Sequence, residues 1–187
     1  MKKSSVLIVI AMAFGAGFLA GLLWASYKGT PPGLAPQGAG APSLNEADRA
    51  HLAELEARVK QNPDSRPDWI ALGNLATDAG RLNTAKEAYE KALKLKEDDP
   101  DVLTDLGVVY RRVGQPQKAV ELFRRARQVD PAHVNAAFNL GVVLLHDLND
   151  RQGAVEAWEV YLQLEPDGER ADMIRRVIEQ LRGSLKK

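Results

Sequence analysis

The chain contains no cysteine. That single absence removes disulfides, thiolate metal sites, covalent haem attachment to this chain and acylation at a cysteine. It leaves the compartment open, because a chain without thiols tolerates oxidising and reducing surroundings alike. Excess charge is missing too: 25 Lys and Arg balance 25 Asp and Glu, so no net positive field exists to displace counterions from phosphates. Nucleic acid is therefore not an expected partner. Histidine is scarce, and His51, His133 and His146 have neither metal-ligand spacing nor a nucleophile nearby, so they read as surface residues. No catalytic residue, metal or cofactor is expected. What the chain does have is 45% hydrophobic residues over a length of 187, enough for one modest core.

Residues 6–25 are all apolar or glycine, a run long enough to cross a hydrocarbon core as a helix. A cleavable signal has a shorter apolar stretch, and Trp24 and Tyr27 stand where a headgroup belt would lie. Residues 1–28 are thus expected to be an uncleaved signal-anchor. The alternative is cleavage after Ala25 or Ser26, giving a soluble periplasmic body. Lys2 and Lys3 precede the span while Lys28 alone follows it closely, which predicts an inside N-terminus and an exported body. Ala13, Gly17, Gly21 and Ala25 recur every four residues along one helical face, a stripe on which two copies of the helix can pack as a homodimer. Such residues are also simply common in membrane helices.

Residues 29–42 are dominated by Gly, Pro and Ala and read as a flexible linker. Ser43 and Glu46 have the spacing of a capping box, and Leu44, Leu52, Leu55 and Val59 suit an amphipathic helix that ends before Pro63. After it the decisive signal appears. A Leu-Gly pair recurs at one constant interval, as Leu72 with Gly73, Leu106 with Gly107 and Leu140 with Gly141. Ala85, Tyr89 and Ala92 follow the first pair, Ala119, Phe123 and Ala126 the second, and Ala154, Trp158 and Tyr161 the third. The third set falls one residue late, which places an insertion in the turn at residues 147–151. Gly80 and Gly114 lie between the helices of their units, where a helix ends on a residue that tolerates positive φ. Pro67, Pro100 and Pro131 mark expected helix starts.

With these motifs, residues 66–167 resemble the tetratricopeptide-repeat family, whose unit carries W-x2-L-G-x2-Y, A-x3-F, A and P. Trp69, Leu72, Gly73, Ala85, Tyr89 and Ala92 match in the first unit. Leu106, Gly107, Tyr110, Ala119, Phe123, Ala126 and Pro131 match in the second. Ala76 and Leu144 depart where the family favours Tyr, and Tyr161 stands where it has a small residue. The resemblance implies an all-α solenoid of helical hairpins: repeats at 66–99, 100–133 and 134–167, a half-repeat helix at 43–65 and a capping helix at 168–187. The last presents Met173, Ile174, Val177, Ile178 and Leu181 on one face.

The resemblance also implies a function, protein or peptide binding in a concave groove lined by the first helix of each unit, and no enzymatic activity. Groove positions are Ile70, Asn74 and Thr77, then Thr104, Val108, Arg111 and Arg112, then Asn135, Phe138, Asn139 and Val142. Val108, Phe138 and Val142 would accept apolar side chains, the asparagines would bond a peptide backbone, and the arginines would hold a carboxylate. Some relatives clamp a chaperone C-terminus with five polar residues; of these places only Asn74 keeps its residue, and Asp105 would repel a carboxylate. The acidic run Glu97, Asp98 and Asp99 reads as solvated cap charges, and Arg124, Arg125 and Arg127 as a solvated convex face. One span followed by a short repeat body looks like bacterial inner-membrane assembly factors, including the repeat subunits of cytochrome c maturation. An ancillary subunit of a secretion translocon or pilus machine is the alternative.

Overall fold

The computed structural model describes residues 45–185, in which eight α-helices are joined by short turns and no strand occurs. The expected membrane helix with its stripe of Ala13, Gly17, Gly21 and Ala25, the linker and Ser43 lie outside the described residues. Within them, no helix is long and apolar enough to cross a membrane. The elements are α1 (Glu46–Gln61), α2 (Arg66–Asp78), α3 (Leu82–Leu95), α4 (Pro100–Arg112), α5 (Pro116–Val129), α6 (Val134–His146), α7 (Arg151–Leu164) and α8 (Glu169–Leu185).

Three antiparallel hairpins, α2 with α3, α4 with α5 and α6 with α7, pack in succession. Each closes on one contact. A Cβ placed on Gly73 would stand 2.5 Å from the Tyr89 ring and one on Gly107 2.5 Å from the Phe123 ring, while one on Gly141 would collide with Trp158. Only hydrogen at these positions lets the ring of the second helix lie on the backbone of the first, and the flanking Ala85, Ala119 and Ala154 are fully buried beside it.

The turns between paired helices bear out the repeat reading. Gly80 and Gly114 adopt φ of 70° and 77°, and the one-residue insertion of the third unit puts Asn149 at φ 54°, a position that asparagine tolerates better than other side chains. Two local expectations are corrected. Asn45 caps α1 by accepting a bond from the Asp48 amide at 2.8 Å, so Glu46 is the first residue of the helix and not the third, as a cap at Ser43 would make it. Pro131 sits in the turn before α6 and not at its start, because His133 supplies the cap of that helix.

The ends are covered. Leu52, Leu55 and Val59 of α1 bury themselves in the cluster that holds Leu72, Ala76 and Tyr89. Leu55 precedes Tyr89 by the same interval that separates Tyr89 from Phe123, and so takes the position of a missing ring. Arg58 pairs with Asp68, and Trp69 donates to the Pro63 carbonyl at 2.7 Å, fixing how α1 enters α2. At the other end Ala171, Ile174 and Ile178 of α8 join the core with Tyr161, which is fully buried. The large residue at a small-residue position is accommodated because its ring tilts against Phe138, with centroids 5.7 Å apart.

The backbones of the first helices approach one another from unit to unit, α2 with α4 and α4 with α6, whereas those of the second helices α3, α5 and α7 stay farther apart. The stack therefore curves with the first helices inside. Alanine is a better helix former than glycine by about 1 kcal/mol, yet Gly107→Ala should destabilise the domain by about 1–3 kcal/mol through overpacking against Phe123. Urea unfolding followed by circular dichroism checks this; a gain in stability would mean that the ring yields freely.

Candidate functional site

The inner face is built by α2, α4 and α6, and their residues fall into three groups. Asn74, Arg112 and Asn135 are exposed, and Ile70, Thr77, Val108, Arg111, Phe138 and Asn139 are half-buried. Thr104 and Val142 are 4% and 8% exposed and belong to the core instead. Both were expected in the groove. The Thr104 hydroxyl donates to the Pro100 carbonyl at 2.7 Å and Thr77 does the same to Gly73 at 2.8 Å, so these hydroxyls serve their own helices.

The two arginines expected to hold a carboxylate are engaged within the fold. Arg111 Nε donates to Asp147 Oδ2 at 2.5 Å, and Arg112 Nη1 donates to the Thr77 carbonyl at 2.8 Å. Each guanidinium ties α4 to a neighbouring unit, Arg111 to the turn after α6 and Arg112 to α2. Their partners belong to adjacent repeats, which local pattern cannot announce.

Two of the hairpin rings reach through to this face. Tyr89 donates its hydroxyl to Asn74 Oδ1 at 2.7 Å, and Trp158 donates Nε1 to the Phe138 carbonyl at 3.1 Å. Burial pushes the Tyr89 hydroxyl up to about 12; the neighbouring Thr77 hydroxyl opposes this while Asp105 and Asp78 add to it, so the Tyr89 hydroxyl remains a donor at neutral pH. Phe138 is not an open apolar anchor: Arg170 of α8 stands 5.0 Å from its ring centroid and Tyr161 packs beside it. The C-terminal end of the face is thus apolar and partly roofed by α8.

The middle of the face carries a group that the sequence pattern did not reveal. His133 is buried at 9% exposure rather than on the surface: Nδ1 accepts from the Ala136 amide at 3.1 Å, and Nε2 faces Asp101 Oδ1 at 3.0 Å. It caps α6 and ties it to the start of α4. The available signal was its place immediately before a helix, where Ser, Thr, Asp or Asn would ordinarily stand. Asp105, next along α4, is half-buried and has no hydrogen bond or ion pair among the described residues. Burial pushes its carboxyl up to about 6, reinforced by Asp101, Asp99 and Asp78 and opposed by His133.

Asp99 behaves oppositely. Burial would raise it, but the bonds from the Val102 amide at 3.1 Å and Arg66 at 2.5 Å outweigh that and hold it below the usual carboxylate range. Its neighbours Glu97 and Asp98 are exposed beside Arg125, at 3.7 and 3.3 Å. Among the described residues no three His, Asp or Glu side chains converge as a metal-ligand set. What the face offers is a curved, mixed surface: acidic around α4, apolar towards α6, with asparagines at Asn74, Asn135 and Asn139.

An acid whose folded pKa lies above its unfolded value of about 3.9 holds its proton more tightly when folded. Its contribution to stability is present at low pH and is lost as pH rises from there to about 6. Asp105→Asn should therefore raise the melting temperature at pH 7 and leave it nearly unchanged at pH 4. Thermal melts at both values decide it; an equal effect at the two would remove burial as the cause.

The sequence model described as the cytochrome c-type biogenesis protein H tetratricopeptide-repeat domain matches residues 35–171. Human protein O-mannosyl-transferase TMTC3 is 32% identical over 107 residues, 54% of this chain but only 12% of that protein. Photosystem I assembly protein Ycf3 of Acaryochloris marina is 28% identical over 123 residues, covering 62% of this chain and 74% of the relative. The crystal structure of MamA has the same fold, with a TM-score of 0.64 at 18% identity over 74% of this chain and 89% of that one. The chain is a tetratricopeptide-repeat scaffold for protein–protein interaction, and it belongs to the cytochrome c-type biogenesis protein H repeat family.

Proposed function

We propose that the chain is a single-span inner-membrane protein whose repeat body faces the periplasm and holds a segment of an apocytochrome c while haem is attached. The observation that carries the reading is the inner face itself. It combines exposed asparagines able to bond a peptide backbone with half-buried apolar side chains, Ile70 and Val108, at different heights along it. The family match at residues 35–171 supports the cytochrome setting. The apolar run at residues 6–25, with two lysines before it, supports the anchor and its direction. An assembly role is also what the name of the Ycf3 relative states for that protein.

The client makes most of its contacts with α2 and α4, because Phe138 is already covered by Arg170 and Tyr161. Near Asp101 and Asp105 the face favours a client stretch that brings a basic side chain or none, and disfavours a carboxylate. The sequence-based expectation that Arg111 and Arg112 hold an acidic group is replaced by this one, since both are engaged within the fold.

Photo-crosslinking residues placed at Asn74, Val108 or Asn135 should capture an apocytochrome in cells that make c-type cytochromes, while the same residue at Glu87 on the outer side should not. Adducts formed only from the outer side would overturn the assignment of the face, and adducts without cytochrome would overturn the client. Mass spectrometry of the membrane fraction should find an intact N-terminus; a chain beginning at residue 26 or 27 would remove the anchor.

A further inference from the structure

On the outer side the backbones of α3 and α5 stand apart, with no Cα of one within 8 Å of a Cα of the other, and between them lies an open cleft of about 530 Å³ floored by Leu106 and Tyr110 of α4. Leu93 and Leu122 line its two walls and are half-buried. The charges on its rims are opposite in sign and in register. Along the two helices Glu90 answers to Lys118 and Lys94 to Glu121, and just past the end of α3 Glu97 answers to Arg125.

The three pairs are at different stages of contact. Arg125 reaches Glu97 at 3.7 Å. Glu90 and Lys118 are held apart by Tyr110, which donates its hydroxyl to Glu90 Oε1 at 2.6 Å and carries the Lys118 ammonium 5.0 Å from its ring centroid. Lys94 and Glu121 line the same cleft, and among the described residues they form no ion pair. Because the rims complement each other, the cleft requires no ligand to neutralise it. One unit further on, the places of Glu90, Lys94 and Glu97 are taken by Arg124, Gln128 and Pro131, and that of Tyr110 by Leu144, so the pattern is confined to this junction.

We infer that the cleft is a seam that closes, flattening the junction between the first two repeats and widening the inner face between α2 and α4. Closure brings Lys94 to Glu121 and takes Leu93 and Leu122 out of water. Each second helix is fixed to its first helix by the ring on glycine, so approach of α3 and α5 must rotate one hairpin on the other. Tyr110 is the wedge that opposes this on the outer side, and the bond from Arg112 to the Thr77 carbonyl is the latch that opposes it on the inner side. The two arrangements are separated by surface charge pairs and a small apolar contact, each a weak interaction, which is what a reversible motion needs.

The absence of cysteine makes the test direct. Spin labels at Asn74→Cys and Asn135→Cys of the full chain in detergent report the width of the inner face by pulsed electron–electron distance measurement. The parent chain should show a longer component displaced by about 2 Å. Lys94→Glu, which sets like charges across the seam, should abolish that component, and Lys94→Glu with Glu121→Lys should restore it. Identical distance distributions in all three chains would overturn the inference. The labels are read without any client, so the result stands apart from the proposed cytochrome role.

Discussion

The contact on which the rest of the molecule depends is an aromatic ring lying on a glycine. In each hairpin a glycine of the first helix receives the ring of the second, Tyr89 on Gly73, Phe123 on Gly107 and Trp158 on Gly141. The rings are almost wholly buried, each contributing roughly 1.5–3 kcal/mol by area removed from water. The greater consequence is geometric. A close approach at one point sets the separation and tilt of the two helices, and its recurrence in every unit propagates the same tilt along the stack until it becomes curvature. The inner face follows from that curvature and not from any residue on it.

The same three rings also vary the face. Tyrosine brings a hydroxyl to Asn74, tryptophan brings an N–H to the Phe138 carbonyl, and phenylalanine brings nothing polar to its unit. The unit without a polar ring is the one whose first helix carries Asp101, Asp105, Arg111 and Arg112. There the polar contacts come from side chains of α4 itself: the two arginines bind it to both neighbours, and Asp101 meets the cap of α6 through His133. The middle repeat is thus the clasp of the stack, with ties to unit 1 and to unit 3, while α1 and α8 close its two ends.

Much of this was legible in the sequence, because the periodic contacts are local. Leu72, Gly73 and their counterparts repeat at fixed spacing since each hairpin solves the same packing problem, and the one irregular turn announced itself as a shift of Ala154, Trp158 and Tyr161. The candidate face was less legible. Whether a residue of a first helix looks into the groove or under the neighbouring unit depends on a few degrees of rotation between hairpins. Thr104 and Val142 fell on the buried side of that line, and Ile70 and Val108 only halfway across it. The arginines and His133 escaped prediction for another reason. Their partners lie in the neighbouring repeat, and nothing in their immediate surroundings distinguishes an engaged side chain from a free one.

A double-substitution cycle on Gly107 and Phe123 tests the ring-on-glycine constraint most directly. Gly107→Ala, Phe123→Leu and the pair are compared by urea unfolding. If the ring and the glycine act as one contact, the cost of the alanine falls sharply once the ring is gone, giving a coupling of about 1 kcal/mol or more. Costs that simply add would mean that the helix spacing is set elsewhere, and the derivation of the curved face from this contact would fail.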